Sequence, residues 1–559
     1  MNNTKKILVS LSFAFSMPFA AATAQALDIS IYHTSDVHGS YAAHKAGASF
    51  GKKNASKMIG GFPALISYIK KDAGKSPYIL LDSGDMFQGT PEGVASKCLA
   101  SADFMNLAGY SAVAAGNHDF DYGGPAFKVL AGKMKAAMLS ANLQLQKTGK
   151  DGKIQITQPK YVKPYIIVKK AGKRIAIIGL SHKNSTETGG RNLGKDITGF
   201  EDEAFTSGKI IKEVREKENP DAVILLNHSG TFGDVFQGKT IDPSKEKLNE
   251  EDKYVGVEMA RLAKEMGYGI DLVLSGHEHT ALIGGYYDKE SGTWFAESGT
   301  KLNYVSKAVM HFNDDSGKLE KIDVELVPLW AENGEDAKAL KLVKKYEKIV
   351  KSQMSKVIGY TEGGLAAGNS PLNNPLAQWT CAITQIEAGG EISMQNSSSF
   401  SIGLPDGKVT LQDLYKSMKF DNTLYKVSLP GKGIEEIIKA NFTENDRTQV
   451  YFSGMTVEYK AGKNGPENVR IFVEGVPLDQ KRIYTVITND YFVNVNKLGA
   501  AFKQYAVKIE NTGFGVRETM QKNLESTLAS KPEKDKSAAI SDAFAPLSAE
   551  YYPCGYKAK

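Results

Sequence analysis

Five short runs carry side chains that bind metal ions: Asp36-Val37-His38-Gly39, Ser83-Gly84-Asp85, Gly116-Asn117-His118-Asp119, Asn227-His228 and Gly276-His277-Glu278-His279. Imidazole, carboxylate and amide oxygen, with no cysteine among them, suit zinc, manganese, cobalt or magnesium better than copper(I) or an iron–sulfur cluster. Asp36, His38, Asp85, Asn117, His228, His277 and His279 make seven ligands. With one aspartate bridging, they form two sites of about four donors each, which leaves positions for water and substrate. Asp-x-His and His-x-His each put both side chains on one face of an extended segment, because side-chain direction alternates along a strand.

Each run follows an apolar, β-branched stretch that reads as a strand. The strands expected are Ile29 to His33, Tyr78 to Leu81, Ala112 to Ala115, Ala137 to Ser140, Ile175 to Ile178, Ala222 to Leu226 and Leu272 to Leu274, with helices at Pro63 to Lys71 and Val255 to Met266. Strands alternating with helices imply a layered α/β fold. In open α/β sheets ligands bind beyond the carboxyl ends of the strands, so turns distant in the chain converge there. All nine histidines lie between His33 and His311. His33 is expected to pack under the site, and His44, His182 and His311 to be surface or structural residues.

A chain of 559 residues exceeds what one core organises, since domains split beyond roughly 250–300 residues. Residues 1–26 read as a cleaved signal peptide: Lys5 and Lys6, an apolar stretch from Ile7 to Phe15, Pro18, then Ala24-Gln25-Ala26 before Leu27. Export to the periplasm is expected, with secretion further out as the alternative and no membrane association after cleavage. Residues 27–333 read as the α/β domain. Residues 334–356 read as a linking helix, rich in lysine, leucine and alanine, with Glu335 and Asp336 suited to its first turn. Residues 357–529 read as an α+β domain ending in a helix near Val516 to Leu528, and 530–559 as a charged linker and tail. The net charge is +6, or +4 without Lys5 and Lys6, too mild and dispersed for nucleic-acid binding. Cys98, Cys381 and Cys554 allow at most one disulfide, with Cys381 to Cys554 the candidate, and their spacing excludes a CxxC zinc site.

The blocks Ser35-Asp36-Val37-His38-Gly39, Asp82 to Thr90, Gly116 to Asp121, Asn227 to Gly230 and Ser275 to His279 resemble those of the calcineurin-like metallophosphoesterases. Gly84-Asp85-Met86-Phe87-Gln88-Gly89-Thr90-Pro91 resembles their 5′-nucleotidase branch more narrowly. The resemblance implies one ion on Asp36, His38, Asp85 and His279, and another on Asp85, Asn117, His228 and His277, with Asp85 bridging. It implies that His118 faces the phosphoryl group and that Asp121 orients and charges it. The implied reaction is in-line attack on phosphorus by a water activated between ions roughly 3.5–4 Å apart.

The resemblance further implies that the second domain recognises substrate, with Phe420 and Tyr491 sandwiching a nucleobase and Asn396 nearby. Here the chain departs from the family. Ser401 stands where an arginine grips the substrate, and serine lacks the charged, bidentate fork of arginine. Val493 to Gly499 replaces a glycine-rich loop. The expected substrate is therefore a nucleoside 5′-monophosphate or a UDP-sugar, with 2′,3′-cyclic nucleotides or a non-nucleotide phosphomonoester as alternatives. Seven converging ligands plus His118 argue against a secreted binding protein without turnover. A monomer is expected.

Overall fold

The computed structural model describes residues 27–529 and 555–558, except 97, 149–153, 184, 186–196, 233–235, 237, 247–254, 362, 368–373, 419–421, 444–449, 463–464 and 495–496. The signal segment, the charged run Lys531 to Lys536 and Cys554 lie outside the described residues.

Twelve strands build the N-terminal region: β1 (Leu27–Thr34), β2 (Tyr78–Asp82), β3 (Ala112–Ala114), β4 (Ala137–Leu139), β5 (Tyr165–Lys170), β6 (Lys173–Leu180), β7 (Ala222–Asn227), β8 (Leu272–Ser275), β9 (Tyr286–Asp288), β10 (Thr293–Glu297), β11 (Tyr304–Phe312) and β12 (Leu319–Pro328). They form two six-stranded sheets, ordered β12-β11-β1-β2-β3-β4 and β9-β10-β8-β7-β6-β5. Each centre is parallel: β1 to β4 in the first, β6, β7, β8 and β10 in the second.

Alternation along the strands sets the layers. Ile29, Ile31, Ile79, Leu81, Ala112 and Ala114 of the first sheet share one core with Ile175, Ile177, Ile224, Leu226, Leu272 and Leu274 of the second. The opposite faces are also apolar: Tyr32, Leu80 and Val113 pack on Phe62, Leu65 and Ile69, and Ile178, Val223 and Val273 pack on Ile211, Val214 and Ala260. The result is helix, sheet, sheet, helix, with helices Phe62–Ala73, Glu203–Glu218 and Val255–Glu265 outside. Two sheets packed face to face with helices outside make the layered α/β fold that the pattern implied. Strands buried on both faces read as continuous apolar runs whichever sheet they join.

Helix Ala337–Met354 follows, capped by Asp336, whose carboxylate accepts the N–H groups of Lys338 and Ala339 at 2.9 and 3.0 Å. It buries Ala339, Val343, Tyr346 and Val350, with Tyr346 adding to the core of the first sheet. Beyond it, five strands pair in the order Val450–Ser453, Ile392–Asn396, Ile483–Asn489, Thr423–Pro430 and Lys508–Gly515, with helices Pro375–Ala388 and Val516–Ala529. Cys98 and Cys381 are both buried. No helix among the described residues is long and apolar enough to cross a membrane.

Candidate metal centre

Both sheets end at one rim, and the seven candidate ligands project from it. Asp36 and His38 follow β1, Asp85 follows β2 and Asn117 follows β3; His228 follows β7, and His277 and His279 follow β8. The extended geometry expected for Asp-x-His and His-x-His does not occur. Asp36 (φ 52°), His38 (48°), Asp85 (59°), His277 (82°) and His279 (58°) all adopt left-handed backbone, so the side chains converge through tight turns. Such conformations cost about 1–3 kcal/mol each and persist only where neighbours over-determine them. Here Gly84 O accepts the Asp36 N–H at 2.9 Å, Asp85 O accepts the His38 N–H at 3.0 Å, and the Asp36 carboxylate accepts the His277 N–H at 3.0 Å.

Four donor atoms crowd one point. Asn117 Oδ1 lies 3.0 Å from His228 Nε2 and 2.9 Å from His277 Nδ1, and Asp85 Oδ2 lies 3.2 Å from His228 Nε2. A tetrahedral ion with bonds of 2.0–2.1 Å needs donors about 3.3 Å apart. The second cluster holds His38 Nε2 2.9 Å from His279 Nε2, with Asp36 Oδ1 at 3.5 Å from His279 Nε2. Asp85 Oδ2 is 3.9 Å from His38 Nε2, so this carboxylate alone reaches both clusters among the described contacts. The trios Asp36, His38, His279 and Asp85, His228, His277 each converge closely enough to hold a metal ion.

Protonation fits the same reading. His38 donates its Nδ1–H to Gln88 O at 2.7 Å, and His228 donates its Nδ1–H to Ser83 O at 2.6 Å. These bonds aim each Nε2 inward, the usual arrangement for a ligating imidazole. Burial pushes His38 down to about 4, so the neutral ring faces His279 with a lone pair, which only a cation or a proton satisfies. His228 goes the other way, to about 9: burial opposes charge, but the Asp85 and Asp36 carboxylates outweigh it. Metal uptake must displace that proton, so affinity falls as pH falls.

His118 stands beside the clusters. Its Nδ1–H donates to Asp121 Oδ2 at 2.9 Å, its backbone N–H donates to Asp85 Oδ1 at 2.8 Å, and its ring centroid lies 5.7 Å from that of His38. Burial disfavours its charge, yet Asp121 and Asp85 raise its pKa to about 10, and Asp490 of the C-terminal region adds to that field.

Three supporting residues were not read from sequence as part of the centre. Asp119, buried, accepts the N–H groups of Asp85 (3.0 Å), Gly116 (2.9 Å) and Met86 (2.9 Å), tying the turns after β2 and β3 together. Glu203 joins the turns after β6 and β7, and His182 stacks on ligand His277 rather than lying apart from the site. The signal for His182 was present: it follows an apolar strand, as the ligands do. His33 sits below the centre as expected, donating Nε2–H to Ser83 Oγ at 2.8 Å, while Ser83 Oγ donates to Leu274 O. His311 is structural, bonded to Asp28 and Asp323.

Close packing makes glycine obligatory at position 116. A Cβ there would lie 2.2 Å from Asp85 Oδ1 and 2.8 Å from His228 Cε1. Gly116→Ala is therefore expected to weaken both ions by roughly 10–100-fold, the range seen when residues supporting ligands are lost. Competition with a chromophoric zinc chelator measures this. Gly132→Ala, with nothing within 4 Å of the added carbon, is the control that should bind normally.

Residues 29–281 match the calcineurin-like phosphoesterase family, and residues 357–535 match the 5′-nucleotidase C-terminal domain family. The chain is a calcineurin-like phosphoesterase with a 5′-nucleotidase C-terminal domain, a metal-dependent phosphoester hydrolase. It is 27% identical to protein UshA of Yersinia enterocolitica over 93% of this chain and 94% of that protein. It is 24% identical to a 5′-nucleotidase of Vibrio vulnificus over 86% and 88%. The fold resembles that of the Haemophilus influenzae NAD nucleotidase at a TM-score of 0.62 and 20% identity, covering 90% and 97% of the two chains.

The residues expected to bind substrate in this hydrolase have mixed surroundings. Asn396 is buried, and its Oδ1 accepts Asn489 Nδ2–H at 2.8 Å and Ser399 Oγ–H at 3.1 Å. Tyr491, in the short helix Asp490–Asn494, is 41% exposed. Phe420 lies outside the described residues. Ser401 is exposed.

Proposed function

We propose that this chain is an exported phosphatase that hydrolyses nucleoside 5′-monophosphates, and UDP-sugars in addition, with two divalent ions, zinc or manganese. The observation that carries the reading is the pair of donor clusters meeting at Asp85, with His118 charged beside them but outside the ligand set. The 5′-nucleotidase and UshA relatives, matched over most of their length, support a nucleotide substrate. When bound, the ions would activate the attacking water and neutralise the phosphoryl oxygens.

The chain's own groups do the rest. Asp36, His38, Asp85 and His279 hold one ion, and Asp85, Asn117, His228 and His277 hold the other. His118 commits its Nδ1–H to Asp121, which leaves Nε2–H to donate to a phosphoryl or leaving oxygen as negative charge develops there. Phe420 and Tyr491 stack the base, and Asn396 supports Tyr491 through Asn489, whose Oδ1 accepts the Phe492 N–H. Base stacking on aromatic rings contributes about 1–3 kcal/mol in single-strand binding proteins. We assign the signal peptide to 1–26, the catalytic domain to 27–333, the linking helix to 334–356, the substrate domain to 357–529 and the charged tail to 530–559. The working state is a periplasmic monomer.

A second reading, a 2′,3′-cyclic nucleotide phosphodiesterase or a non-nucleotide phosphomonoesterase, is favoured by Ser401 at the arginine position. Phosphate release from AMP, UDP-glucose, 2′,3′-cyclic AMP and an aryl phosphate by the metal-loaded protein separates the two. The highest kcat/KM is expected with AMP. A protein active on the aryl or cyclic ester but inert on AMP would establish the second reading instead.

A further inference from the structure

Strand β6 ends on the same rim as the ligand-bearing strands. Leu180 pairs with Asn227, and Leu180 O accepts the His228 N–H at 3.1 Å. Two residues later the His182 ring lies against that of His277, with centroids 4.5 Å apart and planes inclined by 22°. The turn carrying His182 is anchored. Glu203 Oε1, buried, accepts the Lys183 N–H at 2.7 Å and the Ser229 Oγ–H at 2.9 Å. One carboxylate oxygen thus pins the residue after His182 and the residue after ligand His228. Ser185 closes the turn from the other side, its N–H and Oγ–H both donating to His182 O at 3.0 and 2.6 Å.

His277 lacks the support that His38 and His228 have. A ligating imidazole is normally oriented by a hydrogen bond from its other ring nitrogen, as His38 is by Gln88 O and His228 by Ser83 O. His277 points Nδ1 at Asn117 Oδ1, and its Nε2 has no hydrogen-bond partner among the described residues. Its backbone is left-handed at φ 82°, and the His228 ring meets it only at an angle, 65° between planes at 5.3 Å. The His182 ring instead meets it face to face.

We propose that His182 is a positioning residue for the ion held by Asp85, Asn117, His228 and His277, fixing the His277 ring by stacking where a hydrogen bond would otherwise do so. An imidazole that donates its lone pair to a cation becomes electron-poor, and offset stacking on a second ring suits it. The proposal rests on the two-ion reading above.

Calorimetric zinc titration of the demetallated full-length protein tests it, comparing wild type with His182→Ala, His182→Leu and His182→Phe. Wild type should take up two ions. His182→Ala and His182→Leu should weaken one binding event by about tenfold or more and leave the other unchanged, and His182→Phe, which keeps a planar face, should restore it. If His182→Ala fails to fold, the Leu and Phe pair still decides. Wild-type binding by His182→Ala, or a phenylalanine no better than leucine, would each overturn the proposal while leaving the two-ion reading intact. Uptake of fewer than two ions by wild type would overturn both.

Discussion

Replacing Asp85 by alanine is expected to remove both ions and to lower phosphoester hydrolysis by roughly 10⁴-fold, since each ion supplies on the order of 3 kcal/mol of transition-state stabilisation. The reason is positional. Asp85 Oδ2 lies 3.2 Å from His228 Nε2 and 3.9 Å from His38 Nε2, so one carboxylate serves both clusters. Burial would raise its pKa, but His228, His118 and His38 hold it well below the ordinary carboxylate range, so it is ionised whenever the fold is intact. Without it the cations would face imidazoles and one remaining carboxylate, Asp36. The strand that leads to it ends at Asp82, before the substitution, so the core should survive. Two measurements separate lost metal from lost fold. Elemental analysis should find wild type loaded and Asp85→Ala empty. Added zinc should raise the melting temperature of wild type, because a ligand bound only by the native state stabilises it, and should leave the variant unmoved. A variant that retains either ion would show that Asp85 does not bridge.

How much of this centre was legible in the sequence depended on what each residue contributes locally. The convergence of the seven candidate ligands was legible because each follows a strand and belongs to a type that binds cations, whatever the sheet arrangement. The way they converge was not. Asp36 and His38, like His277 and His279, meet through left-handed turns, and no alternation rule reports a φ value imposed by hydrogen bonds from another loop. The two-sheet architecture was equally hidden, because Ile29, Ile31, Tyr32 and their neighbours are buried on both faces. Asp119 stood inside a recognised motif, yet its task, accepting three backbone N–H groups from two loops, exists only after folding. Glu203 is harder still. As the first residue of a helix it looks like an ordinary favourable charge, and only burial and the distances to Lys183 and Ser229 reveal otherwise. At the expected substrate-binding residues, side-chain identity alone decided too little: Asn396, at the end of strand Ile392–Asn396, bonds Asn489 and Ser399, a network that the sequence did not announce.

His118→Ala is expected to keep both ions while kcat falls by about 10²–10³-fold, the cost typical of removing one donor to a developing oxyanion. What the variant removes is only a side chain. The hydrogen bond between residue 118 and the ligand set is the backbone N–H donated to Asp85 Oδ1 at 2.8 Å, and alanine keeps it, losing only the edge contact with the His38 ring. Elemental analysis should therefore read the same as wild type, the opposite of Asp85→Ala. The charge on His118 predicts a pH dependence as well. Burial lowers its pKa, but Asp121 and Asp85 raise it to about 10. Once ions are bound, the charge of Asp85 is shared with them, and Asp121 at 2.9 Å becomes the carboxylate that holds the proton. A raised pKa keeps the donor form present at neutral pH and loses it as pH climbs through that value. Asp121→Asn keeps an oxygen for the Nδ1–H but no charge, so the pKa falls and the alkaline limb of the kcat profile should move to lower pH. A His118→Ala variant with normal kcat, or an Asp121→Asn profile that coincides with wild type, would show that the proton on His118 takes no part in the reaction.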